Sequence, residues 1–187
     1  MQQEQRKNSV FRRFSKEETG SFAIEFVVML PLLIFAWLFV VDAFYGFRIN
    51  TVNQKAAYTL SDMISRETTP INPAYLDGSL EFFTFLTDTR VRDRGIRYTA
   101  VKFDADNNEF ELEWSQSRGS LSPASEGEVA TWVSRLPTMP DNEIIMVVET
   151  YQHFIPTFDI GFNERDIHNF VFVRPRYAPQ VLYSEDA

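Results

Sequence analysis

The pattern of hydrophobic and polar positions divides the chain at about residue 47. Residues 26–41 are sixteen successive positions without a charge, an amide or a hydroxyl. At about 1.5 Å of rise per residue they nearly cross a bilayer hydrocarbon core of about 30 Å. Adding the apolar flanks predicts a transmembrane helix over residues 21–47. This span contains Glu25 near its entry and Asp42, which we place at headgroup level, near its exit.

The helix is predicted to continue beyond the bilayer. No proline lies between Asp42 and Ile64, and apolar residues recur there at spacings of three and four, which is typical of an amphipathic helix. The stripe consists of Tyr45, Ile49, Val52, Ala56, Leu60 and Met63. A helix over residues 21–64 would be about 65 Å long. We expect its first half to face lipid or other subunits and its second half to pack on a soluble domain.

A second helix is predicted to follow a proline-containing break. Pro70 and Pro73 interrupt the first helix, Asn72 is a suitable N-cap, and proline is favoured at the first helical position. The pattern predicts a helix over residues 73–88. Its core positions are Leu76, Leu80, Phe83 and Leu86.

Residues 95–117 are predicted to form a β-hairpin. In the second strand Phe110, Leu112 and Trp114 alternate with Glu109, Glu111 and Glu113, which predicts one apolar and one solvated face. The loop over residues 104–108 is rich in turn-forming residues. It also begins like a calcium-binding EF-hand loop, but Glu109 replaces the required glycine and Ser115 the bidentate glutamate. We therefore interpret it as a turn.

Two further strands and a short helix complete the predicted fold. Residues 143–154 contain a continuous apolar run suited to a strand that is buried on both faces. Residues 167–174 alternate as a last strand, and residues 128–135 are predicted to form a short helix. The fold class is α+β: a long N-terminal helix packed on a small antiparallel sheet of about four strands, pilin-like in outline.

Composition and charge limit the classes of function. The 187 residues allow one modest domain beside a membrane segment. The net charge is −8, but the first twenty residues carry +2 and the remainder −10. An acidic body argues against nucleic acid as a partner. The basic tip suits the cytoplasmic face of a membrane, which places the N-terminus inside and the body outside. The absence of cysteine excludes disulfides and thiolate metal sites.

Three interpretations of the N-terminal segment are open. The first is an uncleaved signal anchor. The second is a cleaved secretory signal with a small-residue site at residues 41–43, although a glutamate and a central proline are unusual in such an apolar region. The third is a prepilin-type leader that ends at Gly20 and is cleaved before Ser21. Cleavage there would create an α-ammonium one helical turn from Glu25, which would offset the cost of a carboxylate in lipid.

The third interpretation agrees with a family motif. Gly20, Ala23, Glu25, Phe26, Pro31, Leu32 and Leu33 form the pattern G-x-x-A-x-E-F-x(4)-P-L-L. This pattern resembles the TadE-like minor pseudopilins of tight-adherence (Tad, or Flp) pilus systems. The ending Arg174-Pro175-Arg176-Tyr177 resembles the family as well.

The resemblance implies a location and partners. It divides the chain into a cytoplasmic leader at 1–20, a transmembrane helix at 21–47 and a periplasmic domain at 48–187. Gly20 and Ser21 would be the processing site of a prepilin peptidase, while Glu25, Phe26 and Pro31 would serve assembly and register. The expected partners are the bacterial inner membrane, other pilin or pseudopilin subunits and the Tad secretion machinery. Glu17 and Glu18, just before the cleavage point, leave open an unprocessed TadG-like anchor that carries a scaffold or binding domain.

No catalytic constellation is recognisable in the sequence. There is no nucleophile elbow, phosphate-binding loop, dinucleotide-binding glycine pattern or zinc-binding histidine pair. The two histidines, His153 and His168, fall in two different predicted strands. We therefore expect no enzyme activity, no catalytic residue, no cofactor and no metal ion. A membrane-tethered hydrolase remains the alternative, and it would require a cleft that gathers one of these histidines with carboxylates.

Overall fold

The computed structural model describes residues 19–87, 93–156 and 163–185. The helices are α1 (Thr19–Ser65), α2 (Pro73–Leu86) and α3 (Glu126–Ala130), which a 3₁₀ turn (Thr131–Ser134) follows. The strands are β1 (Arg94–Asp104), β2 (Glu109–Gly119), β3 (Ile144–Phe154) and β4 (Arg165–Val173). The predicted α+β class, with a long N-terminal helix and an antiparallel sheet, is confirmed. The basic residues of the predicted leader lie outside the described residues.

Helix α1 is one continuous rod of 47 residues, about 70 Å long, and its bounds agree with the predicted 21–64. Of the predicted stripe, Ile49, Ala56 and Leu60 are buried, whereas the other three members are only partly covered. The centre of the buried face also contains polar or small residues: Asp42, Gly46, Asn53, Ala57 and Ser61. A search for apolar periodicity cannot find these positions, because they are buried by contact with the sheet rather than selected for hydrophobicity.

Helix α2 begins as its local sequence predicts. The side chain of Asn72 accepts a hydrogen bond of 2.9 Å from the backbone N–H of Tyr75, and Pro73 occupies the first turn, where a missing N–H costs nothing. Leu76 and Phe83 are buried as expected, while Leu80 and Leu86 are partly covered. The helix ends at Leu86, two residues before the predicted end, and Thr87 returns its N–H to the carbonyl of Phe83 at 3.0 Å.

The described strands form one antiparallel sheet in the order β2-β1-β3-β4. The hairpin of β1 and β2 is confirmed, and so is the two-sided burial of β3. The predicted strict alternation in β2 is wrong at one point. Ala100 pairs with Trp114 but Val101 pairs with Leu112, so Glu113 forms a β-bulge. A bulge inserts one extra residue, so Trp114 packs on the α1 side of the sheet and Leu112 on the opposite side.

The sheet separates two hydrophobic layers. On one side α1 and α2 cover β1 and β3, with Leu60, Ile64, Phe83 and Tyr98 fully buried. On the other side α3 and the 3₁₀ turn cover a second cluster around Trp132. The short helix was predicted over residues 128–135; it instead begins at Glu126, because Ser125 caps it, and continues as a 3₁₀ turn. This second layer makes β3 inaccessible on both faces.

The C-terminal segment closes the domain against the helices. The N–H of Arg176 donates to the carbonyl of Ser65 at 2.7 Å, which satisfies an open carbonyl at the end of α1. Farther on, Val181 is buried and its carbonyl accepts 2.9 Å from Nε1 of Trp114. Tyr183 forms a parallel bridge with Ile71. Arg176 of the arginine-proline ending therefore caps α1, and the residues after it pack on the domain.

Candidate functional site: the exposed part of helix α1

The first part of α1 lies outside the domain. Among residues 22–41 every side chain is exposed except that of Leu38, which is half-buried. The most apolar 18-residue window of the helix has a mean hydropathy of 2.6, and none of it is buried inside the structure. Twenty residues of helix measure about 30 Å, the thickness of a bilayer hydrocarbon core. The helix is thus long and apolar enough to cross a membrane, and a signal sequence would have the same length and composition.

Contact between α1 and the domain begins at Asp42. This carboxylate follows the exposed apolar stretch directly, yet it is only 2 % exposed. Gly46 and Ile49, one and two turns farther on, are buried as well. We expected Asp42 at headgroup level, and the structure covers its side chain with the domain. From Asp42 on, one face of α1 contacts the domain, while Phe44 and Phe47 on another face remain exposed.

The residues predicted to serve processing and assembly lie on the exposed part of α1. Gly20 and Ser21 belong to its first turn, and Glu25 follows Ser21 by four residues, a rise of about 6 Å. Glu25 and Phe26 are both exposed on the helix surface. The helix continues through Pro31, which has no N–H to donate to the preceding turn. The structure thus places all five residues on one rod, with Glu25 one turn from the predicted new chain start.

A buried ionic network lies on the sheet face opposite α1, and the sequence analysis did not identify it. Nε of Arg97 donates to Glu149 at 2.6 Å, and its Nη1 donates to the carbonyl of Ser122 at 3.1 Å. Glu128 of α3 pairs with the same guanidinium, and Nε2 of His168 lies 3.3 Å from Glu149. The Arg97 and Glu149 side chains are 8 % and 1 % exposed. Arg97 therefore connects the covering layer, at Ser122 and Glu128, with Glu149 of the sheet.

The electrostatics of this network favour the charged arginine. Burial by itself lowers the pKa of Arg97, but the hydrogen bonds and charges of Glu128 and Glu149 outweigh it and raise that pKa above its usual value. The guanidinium also lies 5.9 Å from the ring centroid of Trp132, within cation–π range. Glu149, the one carboxylate within the apolar strand β3, was the available signal, although strand periodicity alone cannot pair it with Arg97.

The two histidines have separate acidic partners. Nδ1 of His153 lies 2.7 Å from Asp166 and its Nε2 lies 3.4 Å from Glu164. The hydroxyl of Tyr151 donates to the same Asp166 at 2.9 Å. Hydrogen bonding to Asp166 raises the pKa of His153. His168 instead contacts Glu149 of the buried network. The structure thus places at least one carboxylate within ion-pair distance of each histidine.

The hairpin loop is a turn, as predicted. Asp104 accepts hydrogen bonds from the backbone N–H of Asp106 at 2.9 Å and of Asn107 at 3.1 Å. The Asn107 side chain adds a third at 2.7 Å, and this bonding lowers the pKa of Asp104. Asn108 has φ of 53°, a left-handed conformation that asparagine tolerates. Within the described ranges no group of three or more acidic or histidine side chains is placed to hold a metal ion.

Comparison with known proteins finds no relative of this chain. No family model, no curated protein and no solved structure matches the chain.

Proposed function

We propose that the protein is a minor pseudopilin-like subunit that takes part in pilus assembly. Its N-terminal helix inserts in the bacterial inner membrane with the basic tip in the cytoplasm and the α+β domain in the periplasm. A prepilin peptidase cleaves it after Gly20, and it then associates with other pilin or pseudopilin subunits and the Tad secretion machinery. It acts as an assembly subunit and not as an enzyme.

One observation carries this proposal: the exposed apolar part of α1 and the domain-bound part form a single helix with no break between them. A membrane anchor needs only the exposed part. A subunit that packs by its N-terminal helix needs that helix to be rigidly joined to the domain, because the register of one then sets the position of the other. The TadE-like motif lies on this exposed part and supports the same interpretation.

Glu25 has a specific role in the proposal. A carboxylate at mid-bilayer costs about 2.5 to 3.5 kcal/mol, and less near the interface. After cleavage the α-ammonium of Ser21 would be one turn from Glu25, on its own chain or near that of a neighbouring subunit. This pair would offset the cost of desolvation and set the axial register between subunits, since the charges attract only when the two helices are aligned.

The mature mass tests the processing step. In cells with an active prepilin peptidase we expect the membrane-extracted protein to have lost residues 1–20 and N-terminal sequencing to begin at Ser21. A functional protein that retains Met1 would refute the processing step and favour the unprocessed TadG-like anchor. The helical first turn around Gly20 and Ser21 supports that alternative, because a scissile bond within a helix must unwind before it is cut.

Substitution of Glu25 tests the assembly step. Glu25→Ala should still be cleaved but should fail to enter assembled pili or assembly complexes, as measured by crosslinking to other subunits. Glu81→Ala is the matched control, because Glu81 is an exposed carboxylate on a helix of the domain and should assemble normally. Normal assembly of Glu25→Ala would remove the proposed role of the carboxylate.

A further inference from the structure

Strand β3 runs toward the candidate membrane span, and β4 runs away from it. The last residue of β3, Phe154, packs on Tyr45 and Ile49 of α1, which lie a few residues beyond the exposed stretch. Just past the opposite end of β4, the N–H of Arg176 bonds to Ser65, the last residue of α1. The end of the β3–β4 pair at Phe154 therefore faces the span.

This end of the pair lies at a definite depth along α1. It consists of residues 154–155 and 163–165, which we call the β3–β4 end. Most of these residues line a cavity of about 260 Å³ together with Asp42 and Gly46. At about 1.5 Å of rise per residue, Asp42 and Gly46 lie about 2 to 8 Å beyond the exposed stretch. A headgroup layer extends about 5 to 7 Å beyond the hydrocarbon core. When residues 22–41 span that core, the β3–β4 end lies at the level of the headgroups.

Exposed apolar side chains occur at this level on two sides of α1. Phe44 and Phe47 are 71 % and 72 % exposed on a face of α1 that the domain leaves uncovered. Ile155 directly follows β3 on the side that the domain occupies, and it is 57 % exposed. Apolar side chains of membrane-surface segments insert into the boundary between headgroups and acyl chains. A bilayer at this depth would cover all three side chains without any change in the fold.

The charged neighbours of Ile155 indicate how such a contact is made. Glu164 and Asp166 are exposed carboxylates that both contact His153, and Arg165 is the basic residue between them. Attraction to anionic lipid needs clustered Lys and Arg, whereas carboxylates predominate over guanidinium groups at this end. The contact would therefore depend on burial of an apolar side chain and not on the charge of the headgroups.

We propose that the β3–β4 end rests on the bilayer surface, with Ile155 inserted at the headgroup–acyl boundary on one side of α1 and with Phe44 and Phe47 inserted on another. The inference rests on the membrane insertion in the proposed function but not on processing or pilus assembly. A transmembrane helix by itself tilts within the bilayer. A second contact away from the axis of α1 restricts that tilt and so fixes the orientation of the domain above the membrane.

The absence of cysteine from the chain makes an introduced cysteine the only thiol for labelling. The test uses the full-length protein in phosphatidylcholine nanodiscs, with a fluorophore on the cysteine and with lipids that carry a quenching nitroxide near the top of the acyl chain. We expect quenching at Ile155→Cys to be similar to that at Phe44→Cys. Tyr58→Cys is the matched control and should show no quenching, because Tyr58 is 56 % exposed but lies about 17 Å farther along α1 than Phe47.

A second set of variants separates contact of the domain from insertion of the helix. With the fluorophore on Asn163→Cys, an exposed position of the β3–β4 end, Ile155→Asp should reduce quenching. The same substitution should leave quenching at Phe44→Cys unchanged, because α1 remains inserted. The side chain of Ile155 is exposed, so the domain should remain folded. Phe172→Asp, which replaces an exposed apolar residue near the opposite end of β4, is the control and should leave quenching at position 163 unchanged.

The outcomes separate this inference from the proposed function. Quenching at Phe44→Cys with none at Ile155→Cys would overturn the contact of the domain and leave insertion intact. Absence of quenching at both positions would overturn insertion and the inference together. An equal loss of quenching at positions 163 and 44 in Ile155→Asp would also overturn the inference, because Ile155 would then act on insertion itself. Replacing part of the phosphatidylcholine with phosphatidylglycerol should not alter quenching at Ile155→Cys, and an increase would mean that headgroup charge, not apolar burial, makes the contact.

Discussion

The buried pair of Arg97 and Glu149 gives the sharpest test of what holds the domain together. We consider Arg97→Met and Glu149→Leu, alone and combined, because both replacements fill similar space with apolar atoms. Removing one partner of a buried ion pair costs about 3 to 5 kcal/mol, whereas replacing both with apolar residues is often neutral or stabilising. The loss of stability expected for each variant depends on the partners that the remaining charged side chain keeps in the structure.

The two single variants are not equivalent. Glu149→Leu leaves Arg97 paired with Glu128, whose side chain is 40 % exposed, so we expect about 3 kcal/mol of lost stability. Arg97→Met leaves Glu149, which is 1 % exposed, with only the half-exposed His168 at 3.3 Å. It also removes the ion-pair partner of Glu128, which belongs to the covering layer. We therefore expect a loss of about 4 to 5 kcal/mol, and we expect the double variant to recover most of it.

The assay is urea unfolding of the full-length protein in nonionic detergent, followed by tryptophan fluorescence, to which buried Trp132 contributes beside Arg97. Arg174→Met is the control: it breaks an exposed ion pair with Glu143, which is worth about 0 to 1 kcal/mol. Single variants that lose less than about 1 kcal/mol, or a double variant as unstable as the sum of the singles, would refute the proposed coupling.

Three further predictions concern the periphery of the domain. His153 should titrate above its usual pKa, chiefly through its hydrogen bond to Asp166; its contribution to stability is present below about pH 6.5 and is lost as pH rises through the raised pKa, and Asp166→Asn should reduce the pKa of His153 in an NMR titration. Asn72→Ala should lower stability by about 1 kcal/mol through loss of the α2 N-cap, measured by the same urea unfolding. Gly119→Ala should lower stability by more than about 1 kcal/mol, because Gly119 has φ of 78° and a Cβ would lie 2.1 Å from the carbonyl oxygen of Arg94; a thermal midpoint unchanged from wild type would contradict this.

Local sequence was sufficient for the elements that local physics determines. The start of α2 follows from Asn72 and Pro73, whose capping and dihedral preferences need no tertiary partner. The course of β3 follows from a run of apolar residues too long to be exposed. The reach of α1 follows from its length without an interior breaker other than Pro31.

The remaining features depend on contacts between distant residues. Arg97 and Glu149 are 52 positions apart in sequence, and they meet only because β1 pairs with β3 in a register that opposes them. The bulge at Glu113 changes the side of the sheet that Trp114 faces, and the alternation of apolar residues in the sequence does not predict this bulge. Asp42 is buried where α1 meets the end of β3 and the start of β4. Such features follow from the register of the assembled sheet and not from any single segment.

The arrangement of α1 separates stability from assembly. The residues that bind the sheet, such as Ala56, Leu60 and Ile64, all lie beyond Asp42, whereas the exposed stretch of residues 22–41 is outside the core clusters. Changes at Glu25 should therefore alter packing between helices without altering the fold of the domain. Changes in the Arg97 network should alter the stability of the domain without altering the packing between helices. One helix joins the two parts, so a displacement of the membrane part tilts the domain as a rigid body. Stability of the domain and packing between helices are therefore coupled at the junction, Asp42 and Gly46.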